Sequence, residues 1–183
     1  MHHPIRILCA GGTFEKKYNE IPQTLVFEES HLPEILSVGR SMLPVEIEMI
    51  FLMDSLDMTD EHHLKICERV KAAPEKHIVV THGTDRMVKT ATFLEGQVQD
   101  KTVVFTGSMI PYEFRNSDAE FNMGCALAFV QALPPGIYVT MNGRVWPHNK
   151  VRKNLETGIF EGLEGENFRY AETISCVIRG AIV

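Results

Sequence analysis

Short apolar runs, rich in β-branched residues and separated by helix-like segments, constrain this chain more than any other feature. They are Ile5 to Ala10 (IRILCA), Val45 to Leu52 (VEIEMIFL), Ile78 to Thr81 (IVVT), Thr102 to Thr106 (TVVFT) and Ile137 to Met141 (IYVTM). Val45 to Leu52 alternates at first and then turns wholly apolar; the others are nearly continuous. Runs this brief with no polar face fit strands of a parallel sheet covered on both sides.

Helix signals fall between the runs. Glu28 to Val38 carries Pro33 early and Gly39 just past its end, the expected asymmetry. Thr59 is placed to cap DEHHLKICERVKAA, in which Leu64, Cys67, Val70 and Lys71 share a face. Arg86 to Gln97 repeats apolar residues at Met87, Ala91 and Leu94. Ser117 and Glu120 have capping-box spacing before FNMGCALAFVQAL, which Pro134-Pro135 ends. Strand and helix in alternation, joined by right-handed crossovers, predict an α/β fold: a Rossmann-like, doubly wound and mostly parallel sheet. The Gly-rich residues 158–165 read as a loop and ISCVIRGAIV as a last strand. With no repeat, low-complexity tract or linker, residues 1–183 read as a single domain.

Composition narrows the partners. The chain has 183 residues, 44% hydrophobic and 23% charged, with a net charge of -6. That balance argues against nucleic-acid binding as the main task, which needs clustered Lys and Arg. Small anionic or zwitterionic ligands remain open. Cys9, Cys67, Cys125 and Cys176 are scattered, with no C-x-x-C pair, and read as buried thiols. No segment looks like a signal peptide or a membrane span, which points to the cytoplasm. His2 and His3 are too few for a metal site. His62 and His63 are adjacent rather than spaced along one helical face, no H-E-x-x-H occurs, and both read as surface histidines.

In open α/β sheets, ligands bind beyond the carboxyl ends of the strands. Gly11-Gly12-Thr13 follows the first run here, Asp54-Ser55-Leu56-Asp57 the second, Gly83-Thr84-Asp85 the third and Gly107-Ser108 the fourth. Each alone is ordinary turn or cap chemistry. Together they put hydroxyls, glycines and carboxylates at one edge. A Thr hydroxyl is a weak nucleophile until a neighbour activates it. Backbone N–H groups at glycines such as Gly83 can approach a substrate closely and stabilise an oxyanion. The set suits acyl chemistry on a small polar molecule. It does not suit nucleotide binding, since Ala10-Gly11-Gly12-Thr13 is not G-x-G-x-x-G and no P-loop occurs.

The segments ILCAGGTFEKKY, MDSLDMTD, VVTHGTDRMVKTATFL, VVFTGSMIPYEFRNSDAEFN, YVTMNGRVWPHNKVRK and ETGIFE resemble, in order, the N-terminal domain of bacterial-type L-asparaginases. The resemblance runs from about residue 5 to about residue 162. It implies Thr13 as nucleophile and a Thr84–Lys153–Asp85 group beside it. It further implies that Ser55 helps hold the substrate carboxylate, that Asp85 meets the substrate ammonium, and that Ser108 lies where the backbone lines the side-chain amide. Tyr18 stands five positions after Thr13, closer than the family's loop tyrosine, and Lys16 and Lys17 crowd the same loop. Leu56 stands where a glutamine commonly helps bind the carboxylate. The family's second domain has no counterpart in this sequence.

The activity implied is hydrolysis of L-asparagine to L-aspartate and ammonia through an acyl-threonine, with no cofactor or metal. The alternatives are a non-catalytic module that binds an amino acid or a partner, and an amidase for another amide such as glutamine. A homodimer or higher homo-oligomer is expected, with another copy closing the pocket and Trp146, in a loop-like segment, as an interface anchor.

Overall fold

The structure, a computed structural model, describes residues 3–163. Its centre is a six-stranded sheet of β1 (Ile5–Cys9), β4 (Val45–Met49), β5 (His77–Thr81), β6 (Thr102–Thr106), β7 (Gly136–Met141) and β8 (Arg144–Pro147) in the order β4-β1-β5-β6-β7-β8. All pairings are parallel except β7–β8. The expected α/β, mostly parallel sheet is what the chain forms.

Side-chain alternation explains the continuous apolar runs. Leu8, Val80, Val103 and Phe105 face one side of the sheet with Ile66, Cys67, Val70, Ala91 and Leu94. Ile7, Val79 and Val104 face the other with Leu32, Ile35, Met123 and Ala126. The first layer belongs to α2 (Asp60–Ala72) and α3 (Met87–Phe93), the second to α1 (Leu32–Val38) and α4 (Ala119–Ala132). The central strands β1, β5 and β6 are covered on both faces and stay almost wholly apolar, whereas the edge strand β4 is not fully buried and keeps the alternation of Glu46 and Glu48.

The sheet order also sets the site. From β1 the chain goes outward to β4, crosses back to β5 on the other side of β1, and continues outward to β6. Connections leaving β1 and β5 therefore run in opposite directions, which opens a crevice between their carboxyl ends.

Several expectations are corrected. The segment at 141–147 is not a loop: Asn142 and Gly143, at φ 52 and 82, make a tight turn into β8, and Trp146 is buried there beneath Arg144. A two-residue turn with both central residues at positive φ matches the twist of the strands it joins. Trp146 is therefore a packed strand residue rather than part of a loop. The Gly-rich stretch contains β10 (Phe160–Gly162), which pairs with β9 (Val151–Lys153). β2 (Lys16–Asn19) and β3 (Thr24–Phe27) form a further antiparallel hairpin.

Helix α1 starts at Leu32 rather than Glu28, because Ser30 and the His31 N–H are held by the buried Glu15 carboxylate. The buried face of α2 is His63, Ile66, Cys67 and Val70; Leu64 is half-exposed and Lys71 reaches Gln97. His63 is thus a core residue and not a surface histidine. The Ser117–Glu120 capping box does not form: the Asp118 carboxylate instead takes the N–H groups of Met109 and Ile110 and the Asn122 amide. ISCVIRGAIV and Cys176 lie outside the described residues. Among the described residues, no helix is long and apolar enough to cross a membrane.

Candidate active site

The carboxyl ends of β1, β4, β5 and β6 are in register, with Cys9 beside both Met49 and Thr81, and Thr81 beside Thr106. Backbone hydrogen bonds carry the alignment past the strands: Ala10 N–H to Thr81 O, Ile50 N–H to Cys9 O, His82 N–H to Thr106 O and Gly12 N–H to Met53 O. The loops that follow are therefore stacked side by side. Gly12, at φ +83, packs so closely that a Cβ on it would lie 2.3 Å from Gly83 N. A Cβ on Gly83 would in turn lie 2.4 Å from Ser55 Oγ. Glycine is required at both positions for contact between neighbouring loops as much as for turning.

Thr13 and Thr84 come next in these two loops. Thr13 opens a single 3-10 turn, Thr13–Glu15, and is half-buried. Among the described residues its hydroxyl has no hydrogen-bond partner. Thr84 is buried. Lys153, at the end of β9, brings Nζ to 2.8 Å from Thr84 Oγ1 and 2.9 Å from Asp85 Oδ1. The Lys153 side chain is 10% exposed and that of Asp85 35%, so the lysine is withdrawn from water while the carboxylate stays open to it. The two lengths are those of charge-assisted hydrogen bonds. The Thr84 N–H has no acceptor among the described residues.

A second ion pair borders the first. Lys16 Nζ lies 2.5 Å from Asp54 Oδ2, and Asp54 also accepts the Leu56 N–H. Burial works against ionisation of Asp54, but the Lys16 hydrogen bond, the Leu56 N–H and the charges of Lys16 and Lys153 outweigh it and hold the carboxyl below its ordinary range. Lys17 points elsewhere, to Glu28 on the hairpin.

Glu15 anchors the turn that carries Thr13. It is fully buried and accepts from Cys9 Sγ, Ser30 Oγ and the His31 N–H. Burial pushes its carboxyl up against the opposing pull of those bonds. Burial, followed by the Glu15 charge, pushes the Cys9 thiol up to about 12, so Cys9 remains a thiol that can donate.

Of the residues expected from sequence, the structure brings together Thr13, Thr84, Asp85, Lys153, Gly83 and Ser55. Ser55 Oγ and Ser108 Oγ are buried without a hydrogen-bond partner among the described residues, leaving two hydroxyls free to meet a ligand. Leu56 is exposed beside Ser55. Tyr18 is half-exposed on the β2–β3 hairpin and tied to Glu113 through its backbone N–H.

Sequence reasoning placed Asp54 at the edge of the site without its Lys16 partner, and missed the bracing roles of Glu15, Asp118 and Asn122. Asn122 joins Gly107 O to the Asn142 N–H and so ties the β6 loop to the β7–β8 turn. A groove of about 730 Å³ adjoins this loop, lined by Met109, Phe121, Arg144, Trp146 and Ile159 among others.

Comparison with known proteins agrees with the geometry. The family model described as Asparaginase, N-terminal, matches residues 4–179. The L-asparaginase of Thermococcus kodakarensis is 27% identical over 180 residues, covering 94% of this chain and 55% of that protein. L-asparaginase 1 of Escherichia coli K12 is 39% identical over 165 residues, covering 81% of this chain and 47% of that protein. Among solved structures, L-asparaginase I of Vibrio cholerae superposes with a TM-score of 0.78 at 26% identity, covering 88% of this chain and 52% of that one. The chain thus spans about half the length of the relatives it matches.

Proposed function

Because the chain belongs to the asparaginase family, we propose that it is an amidohydrolase that converts L-asparagine to L-aspartate and ammonia through an acyl-enzyme on Thr13. The observation that carries this reading is Lys153 Nζ bridging Thr84 Oγ1 and Asp85 Oδ1 beside the Gly12–Gly83 contact.

Thr13 Oγ1 attacks the side-chain amide carbon. The negative charge that develops on the amide oxygen is met by backbone N–H groups of the two glycine loops, the unclaimed Thr84 N–H among them. Ammonia leaves as the intermediate collapses. Water then attacks the ester carbon and Thr13 Oγ1 is released. Thr84 takes up the proton of the attacking group as its own passes to the leaving nitrogen in the first step and to Thr13 Oγ1 in the second, while Lys153 Nζ, 2.8 Å away, donates to Thr84 Oγ1 and holds it in place. Asp85, at 2.9 Å, holds the Lys153 side chain. Ser55 and the Asp54–Lys16 pair line the side where a substrate carboxylate would rest, and Asp85 is the partner for its ammonium. Tyr18 acts only if the hairpin carries it toward Thr13.

The test is ammonia release from asparagine, glutamine and other small amides. Release from asparagine supports the proposal and release only from another amide reassigns the substrate. No release with measurable asparagine binding makes the chain a binding module. Free thiols at Cys9 and Cys67 support a reducing, cytoplasmic setting, which cell fractionation checks. Exposed Met109 and Phe121 in the groove support assembly of like copies, which light scattering checks.

A further inference from the structure

Behind the catalytic loop runs a hydrogen-bonded line of buried side chains that the mechanism above does not use. His63, His82 and Thr90 are all fully buried. His82 Nδ1 lies 2.8 Å from Gly83 O, and His82 Nε2 lies 2.7 Å from Thr90 Oγ1. Thr90 Oγ1 lies 2.7 Å from His63 Nδ1. The two rings are nearly parallel, at 14° and 6.4 Å, with Phe93 and Phe105 against them.

The proton positions follow from the acceptors. Gly83 O can only accept, so His82 carries its proton on Nδ1. A neutral His82 then has a bare Nε2, which only the Thr90 hydroxyl can supply. Thr90 Oγ1 has spent its one proton on His82, in preference to the Arg86 carbonyl at 3.2 Å, so it accepts from His63 Nδ1–H. His63 Nε2 is left bare, buried and without a partner among the described residues. The line thus has one direction: His63 to Thr90 to His82 to Gly83 O. Both rings are kept neutral. Burial holds His82 near 4. For His63, burial and then Lys89 push downward, Asp60 opposes, and Arg86 and His62 add to the depression.

We propose that Thr90 is a positioning residue, which fixes the tautomer of His82 and, through His82, the orientation of the Gly83–Thr84 peptide at the active site. The peptide is planar and trans, so its C=O and N–H point in opposite directions. Holding Gly83 O against His82, toward the core, turns the Thr84 N–H away from it. The same bond steadies Thr84 Oγ1 at Lys153. His63 matters as the donor that keeps Thr90 turned toward His82. None of the three needs to touch substrate. This proposal rests on the reading of the site as an amidase.

Its test has two arms. Long-range proton–nitrogen NMR spectra of the wild-type protein at pH 7.5 should show His63 and His82 both protonated at Nδ1, whereas a free histidine side chain favours Nε2. The Nε2–H form at either residue overturns the proposal. Thr90→Val keeps the shape and removes the hydroxyl; Thr90→Ser keeps the hydroxyl. Thr90→Val should release His63 from the Nδ1–H form, shift the Thr84 amide signal and lower kcat about 10- to 100-fold with KM little changed. Thr90→Ser should restore all three. A folded Thr90→Val with wild-type kcat, or an unmoved Thr84 amide, overturns the proposal. If Thr90→Val does not fold, a Thr90→Ser protein with wild-type tautomers and kcat supports it, and one with altered tautomers at wild-type kcat overturns it. If the wild-type protein releases no ammonia from any amide, the proposed function fails separately, and the tautomers and the Thr84 amide still decide the relay.

Discussion

Gly12 rests on the backbone of Gly83, so closely that a methyl group on Gly12 would sit 2.3 Å from Gly83 N. The contact holds the Thr13 loop to the Thr84 loop. Gly12 also has φ 83 and ψ -178, a conformation essentially reserved for glycine. Gly12→Ala should therefore cost about 1–3 kcal/mol in backbone strain alone, with more from the clash, and should remove activity even where the protein still folds. Urea unfolding together with an ammonia assay checks this. A variant with wild-type stability and turnover would show that the two loops do not need to touch.

Thr13→Ala should abolish turnover and leave stability nearly unchanged, since the hydroxyl makes no hydrogen bond among the described residues. Thr84→Val, Asp85→Asn and Lys153→Met should each lower kcat severely. Their combined loss should fall far short of the product of the single losses, as for groups that act as a unit. Steady-state kinetics on the single and combined variants decides it, and multiplicative losses would mean that the three side chains act independently.

Legibility in the sequence followed burial. The central parallel strands are readable because both faces are covered and the runs stay apolar. β2 is not, because Lys16, Lys17 and Tyr18 show no apolar alternation on a hairpin outside the main sheet. β8 carried a usable signal in Asn142-Gly143, which the residues after it obscured. At the site, Thr84 and Asp85 are neighbours in sequence, but Lys153 stands 69 and 68 positions away and no local pattern ties it to them. Resemblance to a family named it, and the fold supplies the contact. His63 escapes local reading for the same reason: the partners it packs against, Thr90 and Phe93, stand 27 and 30 positions away.

Helix α4 offers a stabilising change. Gly124 lies in its exposed interior, has no positive φ, and an added Cβ would meet nothing within 4 Å. Gly124→Ala should therefore stabilise the protein by about 0.5–1 kcal/mol, because glycine loses more backbone freedom on folding than alanine. That corresponds to a rise in Tm of roughly 1–4 °C for a domain of this size. Thermal unfolding of the variant checks it, and a lowered Tm would mean that this face of α4 is covered in solution.

Acid should destabilise the protein before its surface carboxylates titrate. In the folded chain His82 is held near 4, against an ordinary value of 6.5. Between these values the unfolded chain takes up a proton that the folded chain refuses, so stability rises with pH across that window and is lost as pH falls. One fully buried histidine of this kind removes about 2 kcal/mol by pH 5. His63, also depressed, acts in the same direction. Glu15 acts in the opposite sense: its raised carboxyl is protonated first in the folded chain, so falling pH favours folding there. Glu75, whose carboxyl is lowered chiefly by its Arg6 hydrogen bond, adds its own loss only below the ordinary carboxylate range. Above pH 5 His63, His77 and His82 all act in one direction and Glu15 opposes them. Urea unfolding at pH 7.5 and pH 5.0 should show the lower stability at pH 5.0, and an equal or greater stability there would mean that His82 is already open to protons in the folded protein.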